Sequence, residues 1–124
     1  MVDLKTNYVG LQLDNPIIVS SSGLADNIEK IRKIAAFGPG AIVLKSLFEE
    51  QIYVDTKQLI EENPYPEATD YIRGYLRNHT LENYLELIEQ AKNSVNMPII
   101  ASINCTTGNE WMHFARQMQD AGAD

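Results

Sequence analysis

Three short apolar runs, each closing in small or polar residues and each followed by a helical pattern, predict an α/β fold with parallel strands. The runs fall at 16–20, 41–46 and 98–105, and the helices follow at about 27–37, 80–92 and 108–120. Strand, helix and strand within about thirty residues make a βαβ unit, whose crossover forces the strands parallel. A length of 124 residues suits one domain.

The first element is a loose alternation over Leu4–Leu13 around Gly10, which predicts a small hairpin. Ile17, Ile18 and Val19 are β-branched and continuous, the pattern of a strand buried on both faces. Ser20-Ser-Ser-Gly23 ends it. Small residues there read either as a simple turn or as bare backbone open to a flat ligand, since ligands in α/β folds sit at the carboxyl ends of the strands. Asp26 with Glu29 predicts a capping box for a helix through Ile28, Ile31, Ile34 and Ala35, stopped by Gly38-Pro-Gly40.

Ala41-Ile-Val-Leu-Lys-Ser46 is the second strand, ending in two polar residues. Residues 47–79 are irregular and long enough to predict a flap or lid. Asp55 caps a short helix there, through Leu59 and Ile60, which Asn63-Pro-Tyr-Pro66 ends. Its Tyr53, Tyr65, Tyr71 and Tyr75 read equally as cover for a planar ligand or as packing against a rim. Thr80 is expected to start the next helix, with Leu81, Tyr84, Leu85, Leu87, Ile88 and Ala91 as its apolar side. Pro98-Ile-Ile-Ala-Ser-Ile-Asn-Cys105 is the third strand, and Thr107 with Glu110 predicts another capping box ahead of Trp111, Phe114, Ala115 and Met118. After Ala121-Gly-Ala-Asp124 such a fold would continue with a further strand, so the expectation is the front part of a larger domain.

Composition excludes several functions. Net charge is −7 with 44% apolar residues, and no Lys/Arg cluster marks a nucleic-acid backbone reader. No run approaches the about 18 apolar residues of a membrane span, and the Met1–Lys5 start lacks a signal-peptide core. The single Cys105 forms no internal disulfide, consistent with a reducing cytoplasm, and reads as a structural thiol. His79 and His113 lack metal-ligand spacing, and no P-loop, dinucleotide fingerprint or nucleophile elbow occurs.

Asn15-Pro-x4-Ser-Ser-Gly23, Gly40-Ala-Ile-Val-Leu-Lys-Ser46, Pro98-Ile-Ile-Ala-Ser-Ile-x-Cys105 and Ala121-Gly-Ala-Asp124, in this order, resemble the FMN-dependent dihydroorotate dehydrogenase family. The third piece, with Trp111, is also similar to the pyrimidine-binding flavin domain of dihydropyrimidine dehydrogenase. The resemblance implies an N-terminal segment, residues 1–124, of a (β/α)8 TIM barrel: its first three strand–helix units after a hairpin, with 47–79 as an inserted lid. It implies FMN as cofactor, bedded on Ser21, Ser22, Gly23, Lys45 and Ser46, and a small-molecule substrate oxidised by hydride transfer to the flavin. An ammonium at position 45 would favour the anionic reduced ring. By the residues alone, Lys45 reads also as a surface lysine.

The family's Asn-rich substrate motif is not reproduced in Arg73-Gly-Tyr-Leu-Arg-Asn78, which leaves Asn78 as a stand-in for substrate binding. The family's catalytic base and its phosphate grip fall beyond Asp124, so no catalytic residue is assigned and this segment alone is expected to be inactive. A cytoplasmic homodimer is expected, with no nucleic-acid, membrane or metal partner. The other reading is a truncated, non-catalytic half-barrel that pairs its open edges.

Overall fold

The computed structural model describes residues 2–50 and 68–124. Its architecture is mixed α/β. Strands β1 (Thr6–Tyr8) and β2 (Leu11–Leu13) form an antiparallel hairpin, Thr6 facing Leu13 and Tyr8 facing Leu11. The turn places Val9 at φ +50° and Gly10 at φ +86°. Two consecutive left-handed residues match the right-handed strand twist, but a β-branched side chain fits that region poorly. Val9 is exposed and its side chain contributes no burial to offset the strain. Val9→Asn is therefore expected to stabilise the protein by about 1 kcal/mol, read as a raised urea midpoint at unchanged slope.

Strands β3 (Ile18–Val19), β4 (Ala41–Val43) and β6 (Ile99–Ile100) make a parallel sheet in the order β3-β4-β6. Beyond it, β5 (Leu47–Phe48) pairs in parallel with β7 (Ile103–Asn104). The third strand of the sequence reading is thus broken at Ala101–Ser102, and the second at Leu44–Ser46. Ile17 was expected to be buried but is 63% exposed, and Ile18 and Val19 are half-buried. Ile17 precedes β3 and, with Leu4, Leu24 and Phe37, lines an open groove on the outer side of that strand, where no described element covers it.

Helices α1 (Ile28–Ala35), α2 (Ala68–Ser94) and α3 (Gly108–Asp120) lie against the sheet. They bury Ile31, then Leu81, Tyr84, Ile88 and Ala91, then Phe114 and Met118, against Ile42, Leu44 and Ile99. Two helix starts and one capping box differ from expectation. Asn27, not Asp26, caps α1, its side chain accepting from Lys30 N at 3.0 Å, while the Asp26 carboxylate pairs with the Lys30 ammonium. Thr107 is the N-cap of α3 as expected but makes no side-chain cap bond, and Glu110, the other half of the box, pairs instead with Arg77 of α2. Thr80 does not start a helix at all; α2 begins at Ala68. Ala68, Tyr71, Ile72, Tyr75 and Leu76 already recur at helical spacing ahead of Thr80, a pattern the expected lid left unused. Tyr71 stands 77% exposed there, and Tyr75 stacks only on His79.

Of the expected 47–79 lid, 47–48 are strand and 68–79 are helix. The short helix after Asp55, the Asn63–Pro66 stop, and Tyr53 and Tyr65 lie outside the described residues. At the end of α3, Gly122 at φ +101° lets Ala123 N reach Met118 O, a Schellman closure. The main-chain N–H of Asp124 then donates to Ile99 O on the β6 edge.

Candidate functional site

Because β3, β4 and β6 are parallel, their carboxyl ends emerge on one side, and the sequence places Ser20–Gly23, Lys45–Ser46 and Ser102 there. Ser22 caps a 3-10 turn (Gly23–Ala25) by accepting from Leu24 N at 3.2 Å. That turn presents Ala25 O, which accepts from Lys45 N at 3.0 Å. The end of β4 is thus fastened to the Ser-Ser-Gly turn.

The fastening requires a β-bulge. Ile42 faces Ile99 and Leu47 faces Ile103, five residues forward on one strand against four on the other. One extra residue is accommodated between Leu44 and Leu47. Leu44 N still donates to Ile100 O and Leu47 N to Ser102 O, at 2.9 Å each, while Lys45 N leaves the ladder for Ala25. Bulges re-aim side chains beside functional sites. Here the bulge exposes Lys45 at the rim and leaves Ser46 half-buried beside it.

The hydroxyls at the three strand ends meet. Ser21 Oγ lies 3.0 Å from Ser46 Oγ, and Ser46 Oγ lies 2.6 Å from Ser102 Oγ. Behind them the Tyr84 hydroxyl of α2 donates to Ser102 O and accepts from Ser102 N, both at 3.1 Å. Burial pushes the Tyr84 phenol up, so it stays protonated. A cleft of about 360 Å³ opens alongside, lined by Asp26, Lys45, Ser46, Phe48, Tyr84 and Leu87 among others. The Asp26 carboxyl is held below its ordinary range by its Lys30 hydrogen bond, with the Lys30 and Lys45 charges adding to it.

The sequence-expected bed residues Ser21, Ser22, Gly23, Lys45 and Ser46 therefore stand together at one rim. Ser22 has its oxygen engaged by the turn, and a Cβ at Gly23 would meet only Asp26 Oδ2, at 4.0 Å, so the backbone there is open to a flat group. Open backbone, two rim hydroxyls and an exposed ammonium form a donor set that fits the polar edge of a planar ring such as FMN. Asn78 is exposed on α2, and no hydrogen bond among the described residues ties it to this rim. Tyr84 and Ser102 escaped the sequence reading. Tyr84 falls in the helix's apolar stripe, and only the equal depth of Ser46 and Ser102 at their strand ends signals the second.

One further polar group is buried here. Glu49 is 4% exposed and accepts from Thr106 N at 2.6 Å and Thr106 Oγ1 at 2.9 Å, joining the segment after β5 to that after β7. These bonds, chiefly the main-chain one, hold its carboxyl below the ordinary glutamate value. Its stabilisation is then complete above that ordinary value and is lost as pH falls through the lower folded-state value. Glu49→Gln is expected to flatten the acid side of a stability–pH curve from urea denaturation, and an unchanged acid limb would refute the assignment. Burial pushes the neighbouring Cys105 thiol up, with Glu49 adding to it, and the Trp111 indole N–H donates to Cys105 O at 2.9 Å. Such a thiol is protonated at neutral pH, as a structural cysteine would be. Among the described residues no cluster of His, Cys, Asp or Glu is placed to hold a metal ion, and no helix is long and apolar enough to cross a membrane.

No protein-family model matches the chain. Curated relatives do. The catalytic subunit of dihydroorotate dehydrogenase B (NAD(+)) from Thermoplasma acidophilum is 30% identical over 124 residues, all of this chain and 40% of the relative. Its counterpart from Methanocaldococcus jannaschii is 27% identical over 94% of this chain and 38% of its own length. The NAD-dependent dihydropyrimidine dehydrogenase subunit PreA of Escherichia coli K12 is 28% identical over 98% of this chain and 30% of that subunit. The chain thus spans well under half the length of the curated relatives it matches. Along its whole length, however, it is homologous to part of the dihydroorotate dehydrogenase B catalytic subunit and of PreA, the relationship its strand ends imply.

Proposed function

We propose that this chain is the flavin-bedding part of an FMN-dependent oxidoreductase that oxidises dihydroorotate or a related small substrate. The observation that carries the reading is the meeting of Ser21, Lys45 and Ser46 at one rim of the parallel sheet, fastened by the Lys45–Ala25 main-chain bond. FMN would supply hydride acceptance. In this reading Ser21 offers a hydrogen bond to the ring edge, Ser46 backs it and shapes the bed, Gly23 leaves room for the ring's face, and Lys45 supplies positive charge that favours the reduced, anionic ring. The relatives, dehydrogenase subunits by name, support the reaction class. On this reading the protein works in the cytoplasm as a homodimer.

A visible absorption spectrum with an intact mass on the same sample tests it. Flavin bands, or their appearance on adding FMN followed by gel filtration, support the bed. Protein at relatives' length that refuses FMN overturns it. The second reading, a non-catalytic half-barrel, is favoured by one observation: an apolar groove of about 590 Å³ along the outer side of β3 and α1, where Leu4, Ile17, Leu24 and Phe37 are exposed. It predicts colourless protein whose sedimentation shifts with concentration.

A further inference from the structure

The row Ser21–Ser46–Ser102 has a property that single hydroxyls lack. Each hydroxyl carries one proton and accepts through its lone pairs, and it rotates to suit its neighbours. Two bonds among three hydroxyls use two protons, so one proton is left at one end of the row. With the protons running from Ser102 through Ser46, the free donor is on Ser21. With the protons running the other way, Ser21 offers only a lone pair and the free proton sits on Ser102. The distances, 3.0 Å and 2.6 Å, serve both directions equally.

Reversal requires that the oxygens stay put while the protons turn. Ser102 is held for this: its carbonyl accepts from Leu47 N and the Tyr84 hydroxyl, and its N–H donates to Tyr84. Ser46 follows the bulge, whose ladder bonds at Leu44 and Leu47 fix it on both sides. Only Ser21 ends at the open rim, where it is exposed.

We propose that Ser21–Ser46–Ser102 is a reversible hydroxyl row that lets Ser21 donate to a bound ring in one oxidation state and accept from it in the other, with Tyr84 as its positioning residue. This rests on the flavin reading. N5 of an oxidised flavin is an acceptor, and reduction to the anionic ring makes it an N–H donor, so a rim of fixed polarity beside it would serve only one state. Ser102 is needed for the second. When Ser21 accepts, its own proton points to Ser46, and the proton of Ser46 requires Ser102 as its acceptor. Without Ser102 that proton is orphaned in a half-buried place.

The test is the affinity of the full chain for FMN, oxidised and then dithionite-reduced under nitrogen, with the reduction potential of the bound flavin as an independent readout. Ser102→Ala is expected to weaken reduced FMN about tenfold while oxidised FMN stays within about twofold, a fall of about 30 mV for a two-electron couple. Ser102→Thr, which keeps a hydroxyl, restores both. Tyr84→Phe shifts the potential in the same direction by less, and it reports even where the alanine variant misfolds. Equal weakening of both states, or no change in potential in either variant, overturns the row while leaving the flavin bed intact. Wild-type protein that takes up FMN in neither state overturns the flavin reading and the row with it.

Discussion

Gly40→Ala is expected to destabilise the protein by about 3 kcal/mol or more. An added Cβ would lie 2.0 Å from Asn15 O, 3.1 Å from Asn15 C and 3.2 Å from Leu13 Cβ. The obstacle is main chain that cannot give way. Asn15 Nδ2 donates to Gly38 O at 2.9 Å, Asn15 Oδ1 accepts from Ile17 N at 3.1 Å, and Gly40 N donates to Ile17 O at 2.7 Å. Moving the Asn15–Ile17 crossing to admit a methyl group breaks these bonds, each worth about 1 kcal/mol, on top of the overpacking. Gly108 supplies the control. A Cβ there meets nothing within 4 Å at the first position of α3, so Gly108→Ala is expected to be neutral or mildly stabilising. Urea midpoints of the two variants, measured together, separate the effects; equal midpoints would show that the crossing yields.

Phe114→Ala is the second large effect, a loss of about 3–5 kcal/mol. Phe114 is 1% exposed and is the largest fully buried side chain among the described residues. It carries α3 onto the core, and the Arg77 guanidinium of α2 lies 5.5 Å from its ring centroid while pairing with Glu110. Truncation therefore leaves a cavity and also removes the face on which the arginine rests. Because α3 carries Trp111, whose indole bonds Cys105 O, the loosening reaches the end of β7. Folded domains hold about 5–15 kcal/mol in all, so this single change removes a large share. Phe114→Leu, closer in volume, is expected to lose under half as much. A urea midpoint for the alanine variant close to wild type would contradict the assigned packing.

How far the sequence could be read depended on the range of the interactions. Wherever an apolar face meets the sheet, as at Ile31, Leu81, Ile88 and Met118, periodicity disclosed the helix. Ahead of Thr80 the same spacing was present at Ala68, Tyr71, Ile72, Tyr75 and Leu76, but Gly74 and the exposure of Tyr71 and Tyr75 weaken it as a helix signal. Both expected capping boxes lose a carboxylate in the same way. Asp26 and Glu110 have the right side chain at the right spacing, but a cation takes each one, Lys30 a turn away and Arg77 from another helix. The rim residues Ser21, Lys45 and Ser46 were legible because strand ends are local features. Their union through Ser102 and Tyr84 was not, since it joins residues 56 and 18 positions apart.

Leu44 and Leu47 are both in the core, although they are three residues apart. In an unbroken strand an odd spacing sends two side chains to opposite faces. The supernumerary residue reverses the parity, so the apolar phase below the bulge and the one above it are independently correct. Position 45 belongs to neither phase. A charged residue can therefore occupy it without placing an ion in either hydrophobic layer, and the charge there can be altered without rewriting the strand that carries it.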